Sequence, residues 1–375
     1  MSDYGSISSP AYIIEEAKLI RNLELLQKVQ KDAGIDIILA LKAYANWQTF
    51  PLIKQYLKGA TASSLNEAKL ILDEMGCKAH TYSPAYLPNE FDDLLGCSSH
   101  ITFNSLNQFE QHKQKAIKAG VSIGLRINPE YSDVETDLYN PCAEGSRLGV
   151  LAEKLLELPQ EIDGFHSHTL CESDSFAVEK VLQNIEAKFG KHLPNLKWLN
   201  LGGGHLMTKK GYNIEHLIQV LKAFKMKFPN LAIILEPGSA IAWQTGVLKS
   251  TVLDVVENKG IKTAILDVSF TCHMPDVLEM PYRPTITGAT DYDTGKFVYR
   301  LGGVSCLAGD FIAEYSFEKE LNIGSTVIFE DMIHYTTVKT TQFNGVSHPS
   351  IVLLKQNKKV EVLKDYSYPD FKNRL

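Results

Sequence analysis

The 375-residue chain has no excess of basic residues. Its 38 Lys and Arg stand against 44 Asp and Glu, a net charge of −6. That excludes the electrostatic footprint of a protein that grips nucleic acid by its phosphates. Cysteine is sparse: six residues, none in a Cys-x-x-Cys pair. Neither a zinc ribbon nor a thioredoxin motif is suggested, and a chain this long is too cysteine-poor for a disulfide scaffold. No apolar run approaches the roughly 20 residues that span a bilayer. The opening "MSDYGSISSP" has neither the basic nor the apolar stretch of a secretory signal. Repeats, low-complexity segments and Pro-rich linkers are also missing. The expectation is a cytoplasmic protein with no nucleic-acid or membrane partner.

What is present is an ordinary globular composition, 44% hydrophobic and 22% charged. Apolar runs alternate with amphipathic stretches up to about Gly246. The strand candidates are Ile35–Leu41, Ala60–Ala62, Ala79–Tyr82, His100–Phe103, Ser122–Ile127, Gly164–His168, Trp198–Leu201 and Ala232–Leu235. Helix candidates lie between them, among them Glu15–Lys31, Leu65–Met75, Leu106–Ala119 and Ile214–Lys227. This alternation predicts an α/β fold, a parallel (β/α)8 TIM-like barrel, with an open doubly wound sheet as the alternative. After about Ala242 the texture becomes strand-like, at Lys249–Val256, Thr263–Val268, Phe297–Leu301, Thr326–Phe329 and Ser350–Leu354. The expected division is a barrel over residues 14–245 and a mainly β domain over 246–375 together with 1–13.

Several residues stand where chemistry would put them. Lys42 ends the apolar run "IDIILALK". A lysine at the C-terminal end of a barrel strand faces the active-site end, and a desolvated amine suits Schiff-base chemistry. A lysine snorkelling to the rim is the plainer alternative. "LNLGGGH" carries Gly202, Gly203 and Gly204, whose backbone could approach a phosphate or could simply turn. "ILEPGSA" sets Glu236 at another strand end, before a Pro-Gly turn containing Gly238. "GFHSHTLCES" brings His166 and His168 to one side of a strand. A His-x-His pair also suits a metal, but no third ligand is spaced nearby, so no metal is expected. "CHMPDVLEMPYRP", "CLAGD" and "HYTTVKTTQFNG" add Cys272, Asp276, Cys306, Asp310 and Tyr335 in the second domain. Core packing is the ordinary alternative for these.

Together, and in order along nearly the whole chain, these motifs resemble the fold-type III pyridoxal-phosphate (PLP) decarboxylases. That group includes ornithine, diaminopimelate and carboxynorspermidine decarboxylases. "ALKAYA", "HTLCE", "GGGH", "EPGSA", "HMPD", "MPY" and "CLAGD" are most similar to the branch acting on carboxynorspermidine and carboxyspermidine. The resemblance implies that Lys42 binds PLP covalently and that His168 stacks on its ring. It implies that Gly202, Gly203, Gly204, Gly238 and Tyr335 hold the phosphate end, and that Glu236 pairs with the pyridine nitrogen. Cys306 would protonate the substrate carbon across a homodimer interface. Asp276 and Asp310 would lie near the distal amine of a polyamine-like substrate, with Ser239 beside cofactor or substrate.

There are departures from the wider group. Ser239 follows the Glu-Pro-Gly where ornithine decarboxylases carry arginine, and "TLCE" stands where diaminopimelate decarboxylases usually have "IGSQ". Acids in "HMPDVLE", where a second substrate carboxylate would need arginine, argue against diaminopimelate. A diaminopimelate decarboxylase or amino-acid racemase on the same scaffold, and a non-catalytic PLP-binding protein, remain as alternatives. Cys171, Glu172, His273 and Glu279 carry no role that the motifs assign.

Overall fold

Strands buried on both faces read as continuous apolar runs, and here those runs pair into a parallel barrel. The structure is a computed structural model that describes residues 4–291 and 297–375. The chain divides into two compact units, one of residues 22–241 and the other joining the N-terminal segment through Arg21 to everything from Ala242 onward.

In the first unit the strands Ala60–Ala62, Ala79–Tyr82, Ser98–Phe103, Ser122–Asn128, Gly164–His166, Trp198–Asn200 and Ala232–Leu235 lie side by side in chain order. The opening strand closes the ring in two pieces. Asp36–Ile37 pairs with Ala232–Leu235, and Leu39–Ala40 pairs with Ala60–Ala62. The switch is made at one residue: Ile38 N–H donates to Leu235 O, and Leu39 N–H donates to Gly59 O, both at 2.9 Å. The barrel therefore has nine strand segments where eight strands were expected, because one strand serves both neighbours. Ile37, Ile38, Leu39, Ala40 and Leu41 are all buried, so the run that ends at Lys42 is anchored along its length.

The helices follow the sequence pattern closely. Leu106–Ala119 starts at Ser105, whose hydroxyl accepts from Gln108 N–H, and stops at the left-handed Gly120. Ile214–Lys227 is capped by Asn213. The expected helix Leu65–Met75 is α-helical to Leu70 and finishes as one π-turn over Ile71–Met75 before Gly76 at φ +67°. Two site strands also end early. Gly164–His166 stops before His168, and Trp198–Asn200 stops before Leu201.

The second unit is a mostly antiparallel sheet. Its spine is the long strand Gly246–Asn258, which turns through Lys259 and Gly260, both at positive φ, into Ile261–Leu266. Ala11–Glu15 lies antiparallel to Gly246–Asn258 and parallel to Ser350–Leu354. Ile7, Ala11, Ile13, Val247 and Val352 pack together there, which explains why the N-terminal residues travel with the C-terminal sheet. The strands Phe311–Phe317 and Val360–Lys364 were not among those expected. Each carries charge inside its apolar pattern, at Glu314 or at Glu361 and Lys364, so alternation is weak. Glu314 is paired across the ladder with Arg300 at 2.9 Å. Among the described residues no helix is long and apolar enough to cross a membrane.

Candidate active site

The barrel strands deliver their last residues to one cavity of about 390 Å³, bordered by Lys42, Tyr82, Arg126, His166, His168 and Glu236. This is the C-terminal end of the barrel, where catalytic groups of such barrels converge. Lys42 sits on the turn after Leu39–Ala40, tied down because the Ala43 and Tyr44 N–H groups both donate to Ala40 O. By surface area its side chain is exposed, opening into the cavity. Desolvation lowers its pKa, opposed by the Glu236 charge and reinforced by Arg126.

Lys42 Nζ lies 3.0 Å from His168 Nε2. The tautomer of His168 follows from its other nitrogen. Gly203 N–H donates to His168 Nδ1 at 3.1 Å, so Nδ1 carries no proton and Nε2 does. Nε2–H is then the donor and the Lys42 amine the acceptor, which requires Lys42 to be neutral in this contact. Burial, with the Arg126 charge close by, pushes His168 well below the usual histidine range.

Glu236 follows the strand Ala232–Leu235 and is 8% exposed. Burial by itself would raise its pKa. The contact with His166 outweighs that, and the carboxyl is held well below its ordinary value. His166 Nε2 lies 3.0 Å from Oε1, and Asn200 Nδ2 donates to Oε2 at 2.9 Å. Both histidines are thus engaged separately, and among the described residues no group of three or more His, Cys, Asp or Glu converges as metal ligands would.

The glycines matter here mainly for room. A Cβ on Gly204, at φ +90°, would sit 1.9 Å from Leu170 O, and one on Gly238 would sit 2.4 Å from Ala43 Cβ. The Glu-Pro-Gly turn therefore packs directly on the turn that bears Lys42, fixed also by the hydrogen bond from Ala40 N–H to Pro237 O at 3.0 Å. The amides of Gly202 and Gly203 donate inside the protein, to Asn200 Oδ1 at 2.8 Å and to His168 Nδ1. Their backbone also approaches closely: a Cβ on Gly202 would sit 2.6 Å from His168 Cβ, and one on Gly203 2.5 Å from Glu236 O. Ser239 opens the short helix Ser239–Ala242, half-buried.

Three residues at this cavity or behind it are given no role by the sequence motifs, although Asn200 lies within "LNLGGGH". Arg126 is 4% exposed, donates to His168 O at 2.9 Å, and lies 4.7 Å over the Tyr82 ring. Asn200 braces Glu236. Tyr82 stacks on His166 with centroids 5.0 Å apart. The available signal is the one that draws attention to Lys42: "SIGLRIN" and "WLN" put an arginine and an asparagine inside buried strands.

The second unit holds the remaining candidates. Cys306 is exposed on a loop, and its backbone N–H donates to Asn344 Oδ1 at 2.9 Å. Asp310 is 4% exposed, and its carboxylate accepts from three backbone amides: Phe270 at 2.7 Å, Thr271 at 3.1 Å and Ser305 at 3.1 Å. An acid so fully used by the backbone holds the loop together. Asp276 differs. Its Oδ2 accepts from Tyr282 and Thr336 hydroxyls, both at 2.9 Å, while its buried Oδ1 has no partner among the described residues. Tyr335 is half-buried at the head of the short helix Tyr335–Val338.

A neutral amine, a flat imidazole beside it and an ionised carboxylate share one cavity, whose volume is in the range of small-molecule sites. That donor set suits a pyridine aldehyde: the amine for the aldehyde carbon, the imidazole for a ring face, the carboxylate for a ring nitrogen.

Comparison with known proteins agrees. The family model described as "Pyridoxal-dependent decarboxylase, C-terminal sheet domain" matches residues 12–333. The chain is 52% identical to carboxyaminopropylagmatine decarboxylase of Synechocystis sp., over 99% of this chain and 96% of that protein. It is 43% identical to carboxynorspermidine/carboxyspermidine decarboxylase of Campylobacter jejuni, over 99% of both. The crystal structure of the Campylobacter jejuni carboxynorspermidine decarboxylase with norspermidine superposes with a TM-score of 0.92 at 41% identity, covering 98% of this chain and 100% of that one. Diaminopimelate decarboxylase from Helicobacter pylori shares the fold, with a TM-score of 0.84 at 18% identity. The chain belongs to the fold-type III, PLP-dependent decarboxylases.

Proposed function

We propose that this enzyme removes the α-carboxylate of carboxynorspermidine or carboxyspermidine and releases norspermidine or spermidine, a step of polyamine biosynthesis. The observation that carries the reading is the full-length likeness to the norspermidine-bound enzyme, joined to a cavity that holds Lys42, His168 and Glu236 together.

PLP, when bound, supplies the sink for the electron pair left when CO₂ departs. Lys42 holds it through the amine that His168 keeps unprotonated. His168 would then hold a face of its ring and Glu236 its ring nitrogen. Gly204, Gly238 and Tyr335 serve its phosphate end, and Gly202 and Gly203 give the backbone room there. Cys306 Sγ supplies the proton that replaces CO₂ at the substrate α-carbon. Asp276 Oδ1, an acid oxygen lacking a partner among the described residues, takes the distal cation of the substrate. Asp310 keeps the Cys306 loop in shape.

The enzyme works as a cytoplasmic homodimer with shared sites. Cys306 stands among exposed apolar side chains, Val304, Leu307 and Phe343, and such a patch is what an interface covers. Mixing Lys42→Ala and Cys306→Ala subunits tests this. Random pairing restores roughly a quarter of wild-type activity if each site draws on both chains, since half the dimers carry one intact site of two. No restoration removes the shared site.

The 52% identity to the agmatine-type enzyme favours a second reading, in which the distal group is a guanidinium. CO₂ release from carboxynorspermidine, carboxyspermidine and carboxyaminopropylagmatine, measured side by side as kcat/KM, decides between them. A clear preference for the guanidinium substrate overturns the first reading.

A further inference from the structure

Stacking on a cofactor ring uses only one of the two histidines in "GFHSHTLCES". The other, His166, is 2% exposed and hydrogen-bonded to Glu236 Oε1, while Asn200 donates to Oε2. The Asn200 amide has one orientation available. Its Oδ1 accepts from Gly202 N–H, so its Nδ2 must face the carboxylate.

We propose that His166 and Asn200 are positioning residues that keep the proton shared by Glu236 and the cofactor's ring nitrogen on the nitrogen. The inference rests on the assignment of Glu236 to that nitrogen. A carboxylate that already accepts two hydrogen bonds is a weaker base. When such a carboxylate and a pyridine nitrogen share one proton, the proton goes to the nitrogen. Remove a donor, and the carboxylate competes for it. Only the protonated ring is a strong electron sink, so the two donors act on catalysis through Glu236 without touching substrate.

The surroundings suit this role. To donate without cancelling the Glu236 charge, His166 must be neutral, with its proton on Nε2 and a bare lone pair on Nδ1. Nδ1 is buried and has no hydrogen-bond partner among the described residues. Burial pushes the His166 pKa down, and Arg126 opposes a further positive charge, against the pull of Glu236. The titratable and charged groups around it are Glu236, Tyr82, Arg126, Lys42, His168 and His80. The Tyr82 ring stacked on His166 fixes its plane, so Nε2 stays aimed at the carboxylate.

The test uses holoenzyme loaded with PLP labelled with ¹⁵N in its ring and reads the nitrogen resonance. His166→Phe keeps the stacking ring and removes the donor. Its resonance is expected to move toward that of neutral pyridine. Its kcat falls about 10- to 100-fold, the worth of one hydrogen bond to a charged group, while substrate KM and borohydride labelling of Lys42 stay unchanged. His166→Gln restores a donor, and with it the resonance and most of kcat. Asn200→Ser reports the second donor if the His166 variants do not accumulate. A resonance unmoved in His166→Phe and Asn200→Ser, while Glu236→Gln moves it, overturns the inference alone. A resonance unmoved by Glu236→Gln overturns the assignment of Glu236 itself.

Discussion

Asn344 Oδ1 accepts a hydrogen bond from the backbone N–H of Cys306, 2.9 Å away, and Asn344 itself sits in the left-handed region at φ +56°. Thirty-eight residues separate the two in sequence, yet one fixes the other's backbone. Asn is among the residues that tolerate this conformation, because its short polar side chain bonds locally. Asn344→Leu should leave Cys306 on a looser loop. A displacement near 1 Å costs up to about 100-fold in rate, so kcat should fall by about 10- to 100-fold with KM little changed. Asn344→Asp keeps the acceptor and should recover most of it. Equal kcat in the leucine variant and wild type would remove Asn344 from the proton-delivery loop.

Asp310 gives a contrast between structure and substrate contact. Asp310→Ala leaves one buried and two half-buried backbone donors without their acceptor and should cost about 1–3 kcal/mol of stability, read by urea denaturation. If instead the variant is as stable as wild type but raises KM for the polyamine substrate, the acid belongs to the substrate site after all.

Lys42 is expected to be the one residue labelled when borohydride reduces the holoenzyme, identified by peptide mapping. Lys42→Ala should lose the label and at least about 10³-fold in activity, as removal of a covalent catalytic group does. A label on another lysine sinks the site as drawn.

Acid should weaken the fold earlier than carboxylate titration would. Burial pushes the pKa of His205 down to about 4 and that of His273 to about 3, and both are buried by exposure, at 2% and 0%. Between the ordinary histidine value near 6.5 and those lower values, the unfolded chain binds protons that the folded chain refuses. Stability therefore falls as pH drops through that window, with each group contributing up to about 1.4 kcal/mol per pH unit. Urea midpoints at pH 7.5, 6 and 5 should decline in order. His273→Gln should flatten part of the slope, and a midpoint constant from pH 7 to 5 would falsify the picture of histidines held neutral by burial.

PLP is expected to stabilise the fold by mass action. Removing it by dialysis against hydroxylamine should lower Tm, and adding it back should restore Tm in wild type. Lys42→Ala should show a smaller PLP-dependent rise, because the covalent part of the binding is gone. An equal rise in both proteins would mean that the amine contributes nothing to holding the cofactor.

Much of this site is legible in the amino-acid chain alone. The barrel follows from the spacing of buried apolar runs, since each parallel strand must be apolar on both faces. Lys42 and Glu236 are visible because a charge ending such a run is costly without a purpose. Arg126 carries the same signal less distinctly, for its strand has no motif around it, and Asn200 lies beside the glycines of "LNLGGGH" without a role that the motif assigns.

What the sequence by itself determined was the order of elements, the strand ends that bear chemistry, and the family those motifs resemble. Hydrogen-bond partners were decided only in three dimensions. His166 meets Glu236 across 70 residues and Lys42 meets His168 across 126, separations that no local pattern encodes. Asp276 and Asp310 look alike as letters, yet among the described residues one has an oxygen without a partner and the other is consumed by the backbone. A carboxylate is available to a ligand only when folding leaves its lone pairs without internal donors, and that is settled by the donors the fold brings beside it.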